Sequence, residues 1–173
     1  MGCLVDQTYG TGSNGDYYAY DVLGRSTLKF QQTGTVNYQL SASYSLAGAL
    51  KTLVYPSGRT ITNTYDQAGR LTAFNGNLGD GVTRTYGTEI VYSATGALLK
   101  EKFGTTTPIY NKLFYNSRGQ LAEIRVSTSY TGPADTTWNR GAIINHYSEQ
   151  CWGACSATSS MSDNNGNLRK QDR

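Results

Sequence analysis

The chain has 173 residues, a length that fits one domain, and its composition is that of an ordered all-β protein: 14 Tyr, 20 Gly and only 3 Pro. Apolar residues make up 38%, yet Tyr adds large buriable rings with polar tips, which argues against a disordered chain. Fifteen Lys and Arg against twelve Asp and Glu leave a net charge of +3 scattered without blocks, which reads as a mixed solvated surface and not a nucleic-acid patch.

In chain order, one unit recurs: Tyr, three residues, Gly, one residue, Leu. Its first copy is Tyr20-Asp21-Val22-Leu23-Gly24-Arg25-Ser26, with Ser at the Leu position and Leu28 two further on. The second runs from Tyr44 through Gly48 to Leu50. A different turn signal follows at Tyr55-Pro56-Ser57-Gly58-Arg59, where Pro and Gly stand two apart. Thr60 to Tyr65 alternates as a strand and leads into the third copy, Tyr65-Asp66-Gln67-Ala68-Gly69-Arg70-Leu71. Residues 75–81 read as a polar loop; a calcium-binding EF-hand loop starting there would need Glu where Tyr86 stands. The fourth copy spans Tyr92, Gly96 and Leu98, and the fifth Tyr115, Gly119 and Leu121. A sixth, Ser162-Asp163-Asn164-Asn165-Gly166-Asn167-Leu168, has Ser in place of Tyr and begins 47 residues after Tyr115. That is about two periods, so a copy around 122–161 is degenerate or carries an insertion.

The unit has a readable physics. Tyr ends a strand and packs its ring on a face. The short polar residue after it (Asp21, Ser45, Asp66, Ser93, Asn116) bonds turn amides. Gly takes the place where the backbone needs positive φ, and Leu opens the next strand. Turns are therefore expected at Gly24, Gly48, Gly58, Gly69, Gly96, Gly119 and Gly166, in an antiparallel hairpin array filling residues 1–173. No segment holds helical periodicity.

Chemistry is sparse. His146, the sole His, lies in an apparent strand, Ile143 to Tyr147, and is expected to be a satisfied structural residue. Cys151 and Cys155 are expected to form a local disulfide across a tight turn that Gly153 permits, in an oxidising compartment, with Cys3 left over. The Tyr row is expected to pack along the sheet in preference to stacking sugars. No catalytic residue, metal ligand or cofactor is selected. No segment approaches 18 apolar residues, so no membrane span is expected. Residues 1–30 lack the basic head and apolar run of a secretory leader.

At Tyr65-Asp66-Gln67-Ala68-Gly69-Arg70-Leu71 the chain resembles the YD repeat of RHS-type proteins, and Tyr20-Asp21 through Gly24-Arg25 matches the same motif. Tyr55-Pro56-Ser57-Gly58-Arg59 followed by Tyr65-Asp66 is similar to the fuller unit of that family. The segments Trp138 to Ser148 and Asp163 to Leu168 also look like parts of long bacterial RHS chains. The resemblance implies hairpins stacked into a long, spiralling antiparallel sheet that forms part of a hollow shell. Shells of this kind enclose cargo in bacteria, act in insecticidal toxin complexes, and serve adhesion in animal teneurins. Two departures stand out: there is no Asp-Pro pair for the family's self-cleavage, and no toxin-like domain follows the repeats in this sequence.

The expected function is thus a structural scaffold, secreted or at the cell surface, without catalysis of its own. Its expected partners are other copies of itself or the remainder of a larger shell. The alternative is an extracellular adhesion module for a glycan or a cell-surface protein. No nucleic-acid partner is expected.

Overall fold

The computed structural model describes residues 3–10, 12, 14–148 and 164–173. Cys151, Cys155 and Asp163 lie outside the described residues; Cys3 is an exposed free thiol. The described residues form antiparallel strands joined by turns, with no helix among them. None is therefore long and apolar enough to cross a membrane as a helix.

The chain divides into two compact units, Met1–Thr85 and Tyr86–Arg173. The first holds β1 (Asp6–Thr8), β2 (Gly15–Tyr20), β3 (Ser26–Thr33), β4 (Val36–Tyr44), β5 (Leu50–Val54), β6 (Arg59–Tyr65) and β7 (Leu71–Leu78). The second begins within β8 (Arg84–Tyr92) and continues with β9 (Leu98–Phe103), β10 (Ile109–Tyr115), β11 (Leu121–Ser127), β12 (Gly141–His146) and β13 (Lys170–Asp172). Within each unit every strand pairs antiparallel with the one before it. The architecture is the hairpin array that the repeats predict.

All seven glycines assigned to turns have positive φ, from 76° at Gly69 and Gly119 to 93° at Gly166. The turn between β2 and β3 shows how each is built. The Gly24 amide donates to the Asp21 carbonyl at 2.9 Å, and the Asp21 amide donates to the Arg25 carbonyl at 2.9 Å. This is a type I turn followed by a left-handed glycine, a three-residue loop whose twist suits a hairpin. The pattern repeats at Ser45, Tyr55, Asp66, Ser93 and Asn116. Beside it, the ladder skips one residue: Ala19 faces Leu28 while Tyr20 faces Ser26. The same bulge follows Ser43, Thr64, Val91 and Phe114. It lets Tyr leave the pleat and point along the sheet.

Little of either unit is core. Among the described residues, Ile90 and Ala122 are the only buried apolar ones. Most strand residues are half-buried on both faces, as in a sheet one layer thick. A domain normally buries an apolar face against a second layer. Here the buried polar residues, Lys112, Glu123, Asp135 and Asn145 among them, outnumber the apolar ones.

Candidate functional site

The repeat residues build a ladder. Tyr44 donates its hydroxyl to the Ser26 carbonyl at 2.8 Å, and Tyr65 to the Leu50 carbonyl at 2.7 Å. In the second unit Tyr115 donates to the Leu98 carbonyl at 2.9 Å. In each case the acceptor is the Leu-position residue of the preceding turn. The Tyr of one repeat thus grips the first strand residue of the repeat before it. Burial pushes the Tyr115 hydroxyl above its usual pKa, which keeps it a donor.

Two further rungs were not anticipated. Tyr20 donates to the Leu4 carbonyl at 2.7 Å, which gives Leu4 the same place ahead of the first motif. Tyr147 donates to the Leu121 carbonyl at 3.0 Å. The sixth turn therefore draws its tyrosine from Tyr147 and its glycine from Gly166. His146 pairs with Lys170 across that hairpin, and the Arg169 amide donates to the His146 carbonyl at 2.8 Å. The repeat spacing alone puts Ser162 at the tyrosine position, and that residue lies outside the described residues.

A second device closes each turn locally. Asp21 Oδ1 accepts the amides of Leu23 and Arg25, while Oδ2 accepts the Arg25 guanidinium at 2.7 Å. Asp66 and Arg70 repeat this. The Arg25 side chain and the Arg70 turn amide hold the carboxyls of Asp21 and Asp66, respectively, below the usual carboxylate range. Where Ser45 and Ser93 replace Asp, the hydroxyls accept the amides of Ala49 and Ala97. Asn116 caps its turn and donates to the Gln120 side chain at 2.7 Å. The residue types match across these five turns: Asp with Arg, Ser with Ala, Asn with Gln. That match is visible in the sequence itself. Arg25 also crosses to the next turn, donating to the Ser45 carbonyl at 3.2 Å with its guanidinium 4.7 Å from the Tyr44 ring centre.

The second unit carries a charged patch that local sequence does not show. Lys100, Lys112 and Arg125 stand directly opposite one another on β9, β10 and β11. Each cation meets a carboxylate: Lys100 with Glu89 at 2.8 Å, Lys112 with Asp135 at 3.2 Å, and Arg125 with Glu123. Glu89 also takes Lys102 at 2.7 Å, and these two lysines lower its pKa. It sits at a bulge in β8 with φ +50°, the one left-handed non-glycine residue among those described. Asp135 belongs to the loop 128–140. The Thr137 hydroxyl and the amides of Thr137 and Thr131 bind it and hold its carboxyl well below the usual range. Lys112 donates to the Thr137 carbonyl as well. Between this loop and the sheet lies a cavity of about 700 Å³.

His146 is buried, with Nε2 2.9 Å from Asp172 Oδ2, but its Nδ1 has no partner among the described residues. The expectation of a satisfied histidine therefore holds for one ring nitrogen only. Among the described residues no three His, Cys, Asp or Glu side chains gather as a metal site.

No protein-family model matches the chain, and no curated protein matches it. Solved structures do match. TcdB2-TccC3 without its hypervariable C-terminal region aligns with a TM-score of 0.64 at 18% identity, over 78% of this chain and 7% of that one. The Photorhabdus luminescens Tc holotoxin pore with a TccC3 mutation aligns with a TM-score of 0.65 at 18% identity, again over 78% and 7%. TcdB2-TccC3-Cdc42 gives 0.58 at 18% identity over 65% and 6%. The fold is shared with a small part of Tc toxin chains. The chain spans only 6–7% of their length. The likeness agrees with the RHS-type fold that the Tyr-Asp repeats imply.

Proposed function

We propose that this chain is a structural segment of an RHS-type shell, an array of hairpins that works by continuing a wall and catalyses nothing itself. One observation carries the reading: within each unit, tyrosine hydroxyls (Tyr44 and Tyr65 in the first, Tyr115 and Tyr147 in the second) bond backbone carbonyls of the repeat before, so the array is built to be extended repeat by repeat. The scarcity of buried apolar residues supports it. A sheet one layer thick with open edge strands is completed by neighbours, either more of the same wall or other copies of the chain. Placement of such a shell outside the cell, in association with a toxin, belongs to the same proposal, as does the continuity of residues 1–173 as one array. Adhesion through sugar stacking has less support at Tyr44 and Tyr130, whose rings carry Arg25 and Lys100.

Sedimentation velocity on the purified chain at micromolar concentrations tests this. Concentration-dependent association through strand edges is expected. A well-folded monomer with no association over that range would sink the scaffold reading and favour a self-contained binding module.

A further inference from the structure

We propose that the cavity under the 128–140 loop binds a small amphipathic carboxylate, its apolar body against the sheet and its carboxylate between Lys100 and Lys112. A volume of about 700 Å³ is that of a ligand site, within the usual range of about 300–1,000 Å³. Its walls are mostly apolar, with Val91, Ala97, Leu99, Phe114 and Pro133 among them. Lys100 and Lys112 are the cations among its lining residues that lie within strands.

Like charges directly opposite on neighbouring strands are ordinarily destabilising. Lys100 and Lys112 are held in that relation, and both are more than nine-tenths buried. An ammonium has three N–H donors. Lys112 spends two, on Asp135 and the Thr137 carbonyl. Lys100 spends one on Glu89 and rests 4.2 Å from the centre of the Tyr130 ring. Each ammonium keeps donor capacity for an acceptor in the cavity. The carboxylates present are heavily shared: Glu89 serves two lysines, and Asp135 accepts three bonds from its own loop. With Lys102 and Arg125 nearby, the cluster has four cations against Glu89, Glu123 and Asp135. An anionic head is therefore preferred to a cationic one. A sugar is disfavoured, because Tyr130 already stacks on Tyr110 and Arg125 lies 5.3 Å from the Phe114 ring centre.

Calorimetric titration of the full chain with 2-naphthoate, and with neutral 2-naphthylmethanol, tests the site. Naphthoate is expected to bind one to one, at least about tenfold tighter than the alcohol, the size of one charge-assisted hydrogen bond. Lys100→Met removes one ammonium while Lys102 still holds Glu89. It should narrow the gap between acid and alcohol, with Lys112 left as the remaining ammonium. Ala97→Trp fills the cavity from an uncharged lining position, leaving both lysines in place, and should abolish both. No saturable naphthoate binding, equal binding of acid and alcohol to the unaltered chain, or naphthoate binding unchanged by Ala97→Trp would each overturn the proposal.

Discussion

The Tyr147 hydroxyl donates to the Leu121 carbonyl at 3.0 Å, as the Tyr115 hydroxyl does to Leu98 at 2.9 Å one repeat earlier. The two bonds mark the same place in successive hairpins. Removing such a rung leaves a half-buried carbonyl without its donor but keeps the ring. Tyr44→Phe and Tyr115→Phe should each cost about 1 kcal/mol. Urea denaturation of each variant measures it, and an unchanged midpoint would show that the ladder adds no stability.

The turn glycines separate two kinds of cost. At Gly69, φ is +76° and a β-carbon would meet nothing within 4 Å. Gly69→Ala therefore carries only backbone strain, about 1–2 kcal/mol. At Gly79, φ is +93° and a β-carbon would lie 2.7 Å from the Ser57 carbonyl oxygen. Gly79→Ala must also push apart two backbone segments, and its midpoint should fall further than that of Gly69→Ala. Equal midpoints would mean the loops yield freely.

Acid should weaken the fold. The carboxyls of Asp21, Asp66, Glu89 and Asp172 are all lowered, chiefly by Arg25, by the Arg70 amide, by Lys100 and by Lys170 respectively. Groups whose folded pKa is depressed stabilise above their unfolded value, about 4, and lose that contribution as pH falls toward the folded one. The urea midpoint should be level between about pH 5 and 7 with respect to these groups and drop below about pH 4. Asp66→Asn should blunt the drop, because its amide still accepts turn bonds but has no charge to lose. A midpoint that rises on acidification would contradict the sign.

How far the sequence reaches depends on how local each feature is. Tyr-x-x-x-Gly-x-Leu placed the turns because a three-residue loop with a left-handed glycine is fixed by its own residues. The match of Asp66 with Arg70, or Asn116 with Gln120, was equally local and equally readable. The hydroxyl bond from Tyr65 to Leu50 joins different hairpins, so it follows from the bulge and not from any spacing. Lys112 and Asp135 lie on different elements with a loop between them, and no motif links them. The patch around Glu89 was hidden because its carboxylate and its two lysines come from different strands.

The sixth turn was obscured for another reason, and the reason is testable. Residues 149–163 separate its tyrosine from its glycine. Joining Ser148 to Asn164 would give Tyr-Ser-Asn-Asn-Gly-Asn-Leu, the same spacing as the other turns. Among the described residues the hairpin is held by the Tyr147 bond to Leu121, the Arg169 bond to His146, and the pairing of Asn145 with Gln171. Asn164 also keeps its bonds to Gln120 of the preceding turn. Shortening the connection between β12 and β13 lowers the entropy cost of closing it, by an amount on the order of 1 kcal/mol. Deletion of 149–163 should therefore leave the strand circular-dichroism signal intact and the urea midpoint equal or higher. It also removes Cys151 and Cys155, so an intact strand signal would show that neither a bridge between them nor their free thiols is needed for the hairpin. Loss of the strand signal in the deletion variant would show that 149–163 holds the turn together, and that Tyr147 and Gly166 do not form a repeat by themselves.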